Sequence, residues 1–221
     1  MPLLHHIQIE QGIECFLWNR TETLEVLQSE LEQRGLGNKS FAEITSVERR
    51  KERMGALLLV EECLQAGRQY GKHANGAPFL SESSLHISVS HTQKLLALCV
   101  SPHFPVGIDI ERTDRQISPI APRFLTGEEL SFFTTPLQQC MAWSAKEAIY
   151  KCLQQEGLDF RANIHLPQSL ATSTRNDANK DLVPFTSNME IHFKCRKYSI
   201  TLQCLRIDMH SLAVCRLNQI I

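Results

Sequence analysis

Val106-Gly107-Ile108-Asp109-Ile110-Glu111, read together with Trp143-Ser144-Ala145-Lys146-Glu147-Ala148-Ile149-Tyr150-Lys151, decides how this chain is understood. In the first stretch Val106, Ile108 and Ile110 alternate with Gly107, Asp109 and Glu111. A period of two predicts a strand with one apolar face and two carboxylates on the other. In the second stretch Ala142, Ala145, Ile149 and Cys152 mark the buried side of a helix, while Trp143, Glu147 and Lys151 recur every fourth residue along a different stripe. A strand with two acids facing a helix with one acid and one lysine makes a small oxygen-rich site with an ammonium beside it. Such a site suits a hard cation holding a phosphate, because Mg²⁺ prefers a few carboxylates plus substrate oxygens and water.

Each piece alone has a plainer reading. Two acids on a strand are commonly a solvated face. Glu147 with Lys151 is an ordinary i,i+4 ion pair worth about a few tenths of a kcal/mol. His91 alone reads as a loop or satisfied core histidine, and the basic run Arg49, Arg50, Lys51, Arg53 as a solvated helix end. The joint occurrence, in order, is what carries the argument.

Together the two stretches resemble the 4′-phosphopantetheinyl transferase superfamily, in its larger two-lobed branch typified by the surfactin and enterobactin synthetase activators. Its Gly-x-Asp-x-Glu strand and Trp-x-x-Lys-Glu-x-x-x-Lys helix are both complete here, in the family's order. Ile87-Ser88-Val89-Ser90-His91-Thr92 is similar to the family's strand ending in Ser-x-Ser-His. Asn75-Gly76-Ala77-Pro78-Phe79 resembles its Gly-Lys-Pro turn, with one departure: Ala77 stands where the family usually has lysine. Lys72 and His73 are the nearby candidates to replace that phosphate contact. The resemblance covers roughly Ser46 to Asp159.

The resemblance implies an α+β fold of two similar α/β lobes in one chain, a pseudo-dimeric arrangement with the active site between them. The lobes expected are residues 1–104, carrying coenzyme A phosphate contacts, and 105–221, carrying the metal and catalytic residues. It implies transfer of phosphopantetheine from coenzyme A to a serine of an apo acyl or peptidyl carrier protein, with Mg²⁺, releasing 3′,5′-ADP. Asp109, Glu111 and Glu147 are the implied metal ligands. Glu147 is the favoured base, Glu111 its competitor, and Lys151 the phosphate-holding ammonium. Ser90 and His91 are expected on the cofactor phosphates, with Arg49, Arg50 and Arg53 as a basic contribution. For Lys146 two roles stay open, steadying the helix or reaching the ligand, and Trp143 is expected to pack beside the site. Two other functions compete: a metal-dependent phosphohydrolase acting on a nucleotide, and a coenzyme A or carrier-binding protein without activity.

Composition agrees with a globular protein. The chain has 221 residues and a net charge of −1, which gives no reason to expect nucleic acid. None of its 8 cysteines forms a Cys-x-x-Cys pair, and most lie in apolar stretches, so they read as small core residues in a reducing compartment. No basic-then-apolar leader opens the sequence, and no apolar run approaches the ~20 residues that span a bilayer. A cytoplasmic protein is expected, and the resemblance to the two-lobed branch implies a monomer.

Periodicity predicts strands at Ile7–Ile9 and Ile13–Trp18, then a helix from Thr21 to Arg34 capped by Thr21. A mostly helical stretch follows from Phe41 to Gly67, with Ser46 as a cap, then a turn-rich segment from Gly71 to Ser84. A hairpin is expected over Leu85–Ser90 and Leu95–Val100. In the second half a short helix or turn at Ile117–Phe124 and a Thr126-capped helix lead to the long helix Pro136–Gln154, which Gly157 is expected to end. Ser169 to Val183 reads as a loop, and strands are expected at Glu190–Lys194, Tyr198–Leu205 and Ser211–Arg216.

Overall fold

The computed structural model describes residues 3–10, 12–37, 41–173 and 184–221. The chain is a mixed α/β protein divided into two compact units, Met1–His103 and Phe104–Ile221.

In the first unit, strands β1 (Leu3–Glu10) and β2 (Ile13–Asn19) form a hairpin, followed by helices α1 (Leu24–Gln33) and α2 (Val47–Leu64). A two-stranded ribbon follows, β3 (Tyr70–Lys72) with β4 (Pro78–Leu80), and then the hairpin β5 (His86–His91) and β6 (Leu95–Ser101). The four longer strands make an antiparallel sheet in the order β1-β2-β6-β5. Helix α1 starts three residues later than Thr21 predicted, because Thr23 is the residue whose side chain accepts from the Val26 N–H. Ser46 caps α2 as expected, accepting from the Arg49 N–H. Leu57, Leu58 and Val60 of α2 pack with Phe16, Trp18, Leu96 and Leu98 of the sheet to form this unit's core. The turn-rich segment is more ordered than its composition suggested: Gly71 lies opposite Phe79, and Asn75 Oδ1 accepts from the Ala77 N–H in the connecting turn.

In the second unit β7 (Val106–Arg112) comes first, then α3 (Ala121–Phe124), α4 (Gly127–Phe132), α5 (Pro136–Leu153), α6 (Phe160–Asn163) and α7 (Gln168–Ser173). Three long strands close it, β8 (Phe185–Phe193), β9 (Arg196–Ile207) and β10 (His210–Ile220). The sheet is antiparallel in the order β7-β10-β9-β8. The strands extend beyond the predicted segments: β8 begins at Phe185, whose ring packs on the core, and β10 runs on past Leu217 to Ile220. Helix α7 replaces the start of the predicted Ser169–Val183 loop: Leu170 and Ala171 are buried, and the Ala171 carbonyl accepts from Gln138 Nε2. Residues 174–183 of that predicted loop lie outside the described residues. Helix α5 begins at a reciprocal cap, with Thr135 accepting from the Gln138 N–H, Gln138 Oε1 accepting from the Thr135 N–H, and Pro136 in its first turn. It ends at Gln154 in the left-handed conformation, before Gly157 is reached.

All eight cysteines are free; Cys195 is exposed, Cys63 half-buried and the other six buried. Among the described residues no helix is long and apolar enough to cross a membrane.

Candidate active site

The second unit's site begins with a close approach of β7 and α5. A β-carbon on Gly107 would collide with the Ala148 carbonyl and lie 2.5 Å from the Cys152 nitrogen. Only glycine lets the strand come so near the helix backbone. Asp109 and Glu111 stand two and four residues along the same face of β7, so they too are directed at α5. Their cross-strand neighbours on β10 are Ala213 and Ser211, both small.

Asp109 is buried, with 5% of its surface exposed. Lys151 Nζ donates to Asp109 Oδ1 at 2.8 Å and to the Ile108 carbonyl at 3.1 Å. Glu111 accepts from the Arg115 guanidinium, four residues on, and from the Trp143 indole. Burial, then the charge of Asp109, pushes the Glu111 carboxyl up to about 7, against the opposing pull of Arg115, Trp143 and Lys151. Glu147 is likewise raised, by burial and then by Asp109, with Lys151 and Arg115 opposing. Asp109 is thus the acid whose charge raises both glutamates.

The three predicted acids therefore share one strand–helix pair, with Lys151 among them. They are not a ready-made ligand set: among the described residues no group of three or more His, Cys, Asp or Glu is arranged to hold a metal ion. Lys151 holds Asp109 and Arg115 holds Glu111. The donor chemistry nonetheless fits a hard divalent cation. All three side chains offer carboxylate oxygens, and Glu111 and Glu147 are raised by burial and then by the charge of Asp109, which a cation would offset. Arg115 is a site residue that the sequence reading missed; its position four residues after Glu111 was the available signal, but it lay past the end of the motif.

Beside Glu147 opens a cavity of about 400 Å³, lined by Ile120, Arg123, Phe124, Trp143, Leu158 and Phe160, with Asp159 at its edge. Trp143 meets Phe124 edge-on at 5.0 Å and Phe160 at 5.7 Å, and the Arg115 guanidinium lies 5.6 Å from the Trp143 ring centroid. Trp143 is a packing residue with a polar handle, not an isolated surface ring. Lys146, expected among the cofactor contacts, requires a correction. It is 0% exposed, and Nζ donates to the Phe124 carbonyl, the Phe160 carbonyl and Glu129 Oε2, at 2.8, 3.0 and 2.8 Å. Its three protons are spent inside the fold, so it cannot reach a phosphate. The motif placed it next to Glu147, but one residue on a helix turns the side chain by about 100°.

In the first unit Ser90 is buried on β5 and His91 is exposed at its end. His91 Nε2 lies 3.1 Å from Glu52 Oε1 on α2. Arg20, which the sequence reading did not select, is buried behind them: it donates to the Thr92 carbonyl at 2.7 Å and lies 3.6 Å from Glu48 and 3.9 Å from Glu52. Arg49 and Arg53 are exposed at the start of α2, while Arg50 is half-buried, with Nη2 3.5 Å from the Thr45 carbonyl. Lys72 lies on β3 and His73 stacks against Phe79, next to the turn holding Ala77.

The family model of the 4′-phosphopantetheinyl transferase superfamily matches residues 105–215, which holds β7, α5 and the whole acid–lysine group. The chain belongs to the 4′-phosphopantetheinyl transferase superfamily. No curated protein matches it. The transferase chemistry of this superfamily is phosphopantetheine transfer, with coenzyme A and carrier proteins as substrates and, generally, a divalent metal. The matched span runs from the start of β7 into β10, so this transferase presents the superfamily's region as one compact unit.

Proposed function

We propose that this transferase is of the two-lobed type and moves 4′-phosphopantetheine from coenzyme A to a serine of an apo acyl or peptidyl carrier protein, releasing 3′,5′-ADP. The observation that carries this reading is Asp109, whose charge acts on both Glu111 and Glu147 and whose carboxylate holds Lys151, inside the matched span. The nucleophile is the carrier's hydroxyl, so the enzyme needs no serine or cysteine nucleophile. Its tasks are positioning, charge neutralisation and removal of one proton.

Asp109, Glu111 and Glu147 are the residues that would hold Mg²⁺, with Arg115 releasing Glu111. When bound, the ion would neutralise the pyrophosphate and favour departure of the 3′,5′-ADP. Lys151, already at the mouth of the acid group, holds a phosphate oxygen of coenzyme A. Glu147 accepts the serine proton; burial and then the charge of Asp109 raise its affinity for protons, the direction a base needs. Glu111 is the competing base. Ser90, His91 and the Arg49, Arg50 and Arg53 cluster supply cofactor phosphate contacts from residues 1–104, and residues 105–221 supply the metal and catalytic groups. The protein acts as a cytoplasmic monomer.

The test is intact-mass measurement of apo carriers, from both fatty-acid and peptide synthetases, incubated with the protein, Mg²⁺ and coenzyme A. A gain of one phosphopantetheine on any carrier supports the reading. Unmodified carriers across the whole panel would overturn it.

A further inference from the structure

Among the described residues one ion pair, Lys146 with Glu129, is almost fully buried, and it bonds to two residues that line the cavity. Glu129 is 2% exposed and Lys146 0%. Glu129 Oε2 accepts from the Thr126 N–H at 2.8 Å as well as from Lys146, and Oε1 accepts from the Leu166 N–H at 2.9 Å. Lys146 donates onward to the carbonyls of Phe124, the last residue of α3, and Phe160, the first residue of α6. Helices of four residues cannot satisfy their own carbonyls, so these two depend on a donor from outside. Phe124 and Phe160 are also two walls of the 400 Å³ cavity, and both pack on Trp143. Glu147, the next residue after Lys146, lines the same cavity.

Stability alone does not account for such a pair. Removing two charges from water costs as much as their attraction returns, and an apolar pair of similar volume commonly does as well. What an ammonium adds is three donors in fixed directions. From this geometry we infer that Lys146 and Glu129 are positioning residues: they set the separation of Phe124 and Phe160 across the cavity, and so the surroundings of Glu147 and Trp143. The functional half of this inference rests on Glu147 being an acid of the transfer site; the geometric half does not.

The chain's two tryptophans, Trp18 and Trp143, make the geometry readable without any reaction. In a Trp18→Phe background, Trp143 is the only indole and reports on the cavity wall. Into that full-length protein the double change Glu129→Met and Lys146→Met is introduced. It fills the site with apolar side chains while removing both carbonyl contacts and the acceptor of the Thr126 and Leu166 N–H groups. Circular dichroism is expected to stay close to the parent, with a lower unfolding temperature because the Thr126 and Leu166 N–H groups lose their acceptor. Acrylamide quenching of Trp143 is expected to rise at least about twofold, and kcat/KM for transfer to fall at least about tenfold per folded molecule. Lys146→Gln with Glu129 retained, which loses the ammonium and its bonds to both carbonyls, is the second variant should the double one not fold, and the same two changes are expected in it. Unchanged quenching in a folded variant would overturn the inference. Changed quenching with unaltered transfer constants would overturn its functional half. A parent that modifies no carrier while the quenching shift is still seen would overturn the transferase reading and leave the cavity geometry standing.

Discussion

Asp109 concentrates the electrostatics of the site. Its charge raises both Glu111 and Glu147, and Lys151 is the side chain that offsets it directly. Asp109→Asn removes that charge without removing volume, so the fold should persist while transfer drops about a hundredfold or more, as read by carrier mass and kinetics. Lys151→Ala should lower kcat more than it changes folding, since Lys151 is partly exposed and its bonds to Asp109 and the Ile108 carbonyl lie at the site. Glu111 gives a pH signature. Its folded pKa of about 7 stands above the ~4.3 of a free glutamate, so the fold favours the protonated form. That contribution is fully present below about pH 4.3 and is lost as pH rises through about 7. In metal-free buffer, Glu111→Gln should therefore flatten part of the decline in unfolding temperature between pH 5 and 8. The acids and Lys151 were legible because their spacing on strand and helix is strict. Arg20, Arg115 and Glu129 were not, because a lone charge carries no mark of being buried or paired across sequence.

At the scale of elements, the contact of β7 with α5 decides where the acids point. Gly107 is the position that permits it, and the obstructing atoms are helix backbone, which cannot swing aside. Gly107→Ala should cost about 3 kcal/mol, the upper end for overpacking, and should weaken transfer in the molecules that still fold. Chemical denaturation followed by circular dichroism measures the first effect. Thr135→Ala should cost about 1 kcal/mol by removing the acceptor at the start of α5, with little change in kcat/KM for the folded fraction. Element types followed from apolar periodicity and capping chemistry, as at Ser46 and Thr126. Boundaries slipped where two residues could serve: Thr21 and Thr23 offer the same hydroxyl, and the hydrogen bond to the Val26 N–H selects Thr23. Helix α7 was hidden in a polar stretch because its stabilisation comes from Leu170, Ala171 and a distant glutamine, Gln138.

For the whole molecule, the eight reduced cysteines make a direct check on the packing of both units. A thiol reagent should find one rapidly reacting group in the native protein, Cys195, with Cys63 slower, and all eight after denaturation without reductant. Fewer than eight would reveal a disulfide and contradict the fold. By itself the sequence determined the acid-bearing strand, the lysine-bearing helix, the longer periodic segments and the family, because each is written in spacing along a single element. Only the tertiary structure decided that Lys146 turns into the core, that Arg115 covers Glu111, and that Phe124, Trp143 and Phe160 enclose a cavity beside Glu147. Those outcomes depend on burial and on partners tens of residues away, and a hydrogen bond between distant segments leaves no periodic trace in either one.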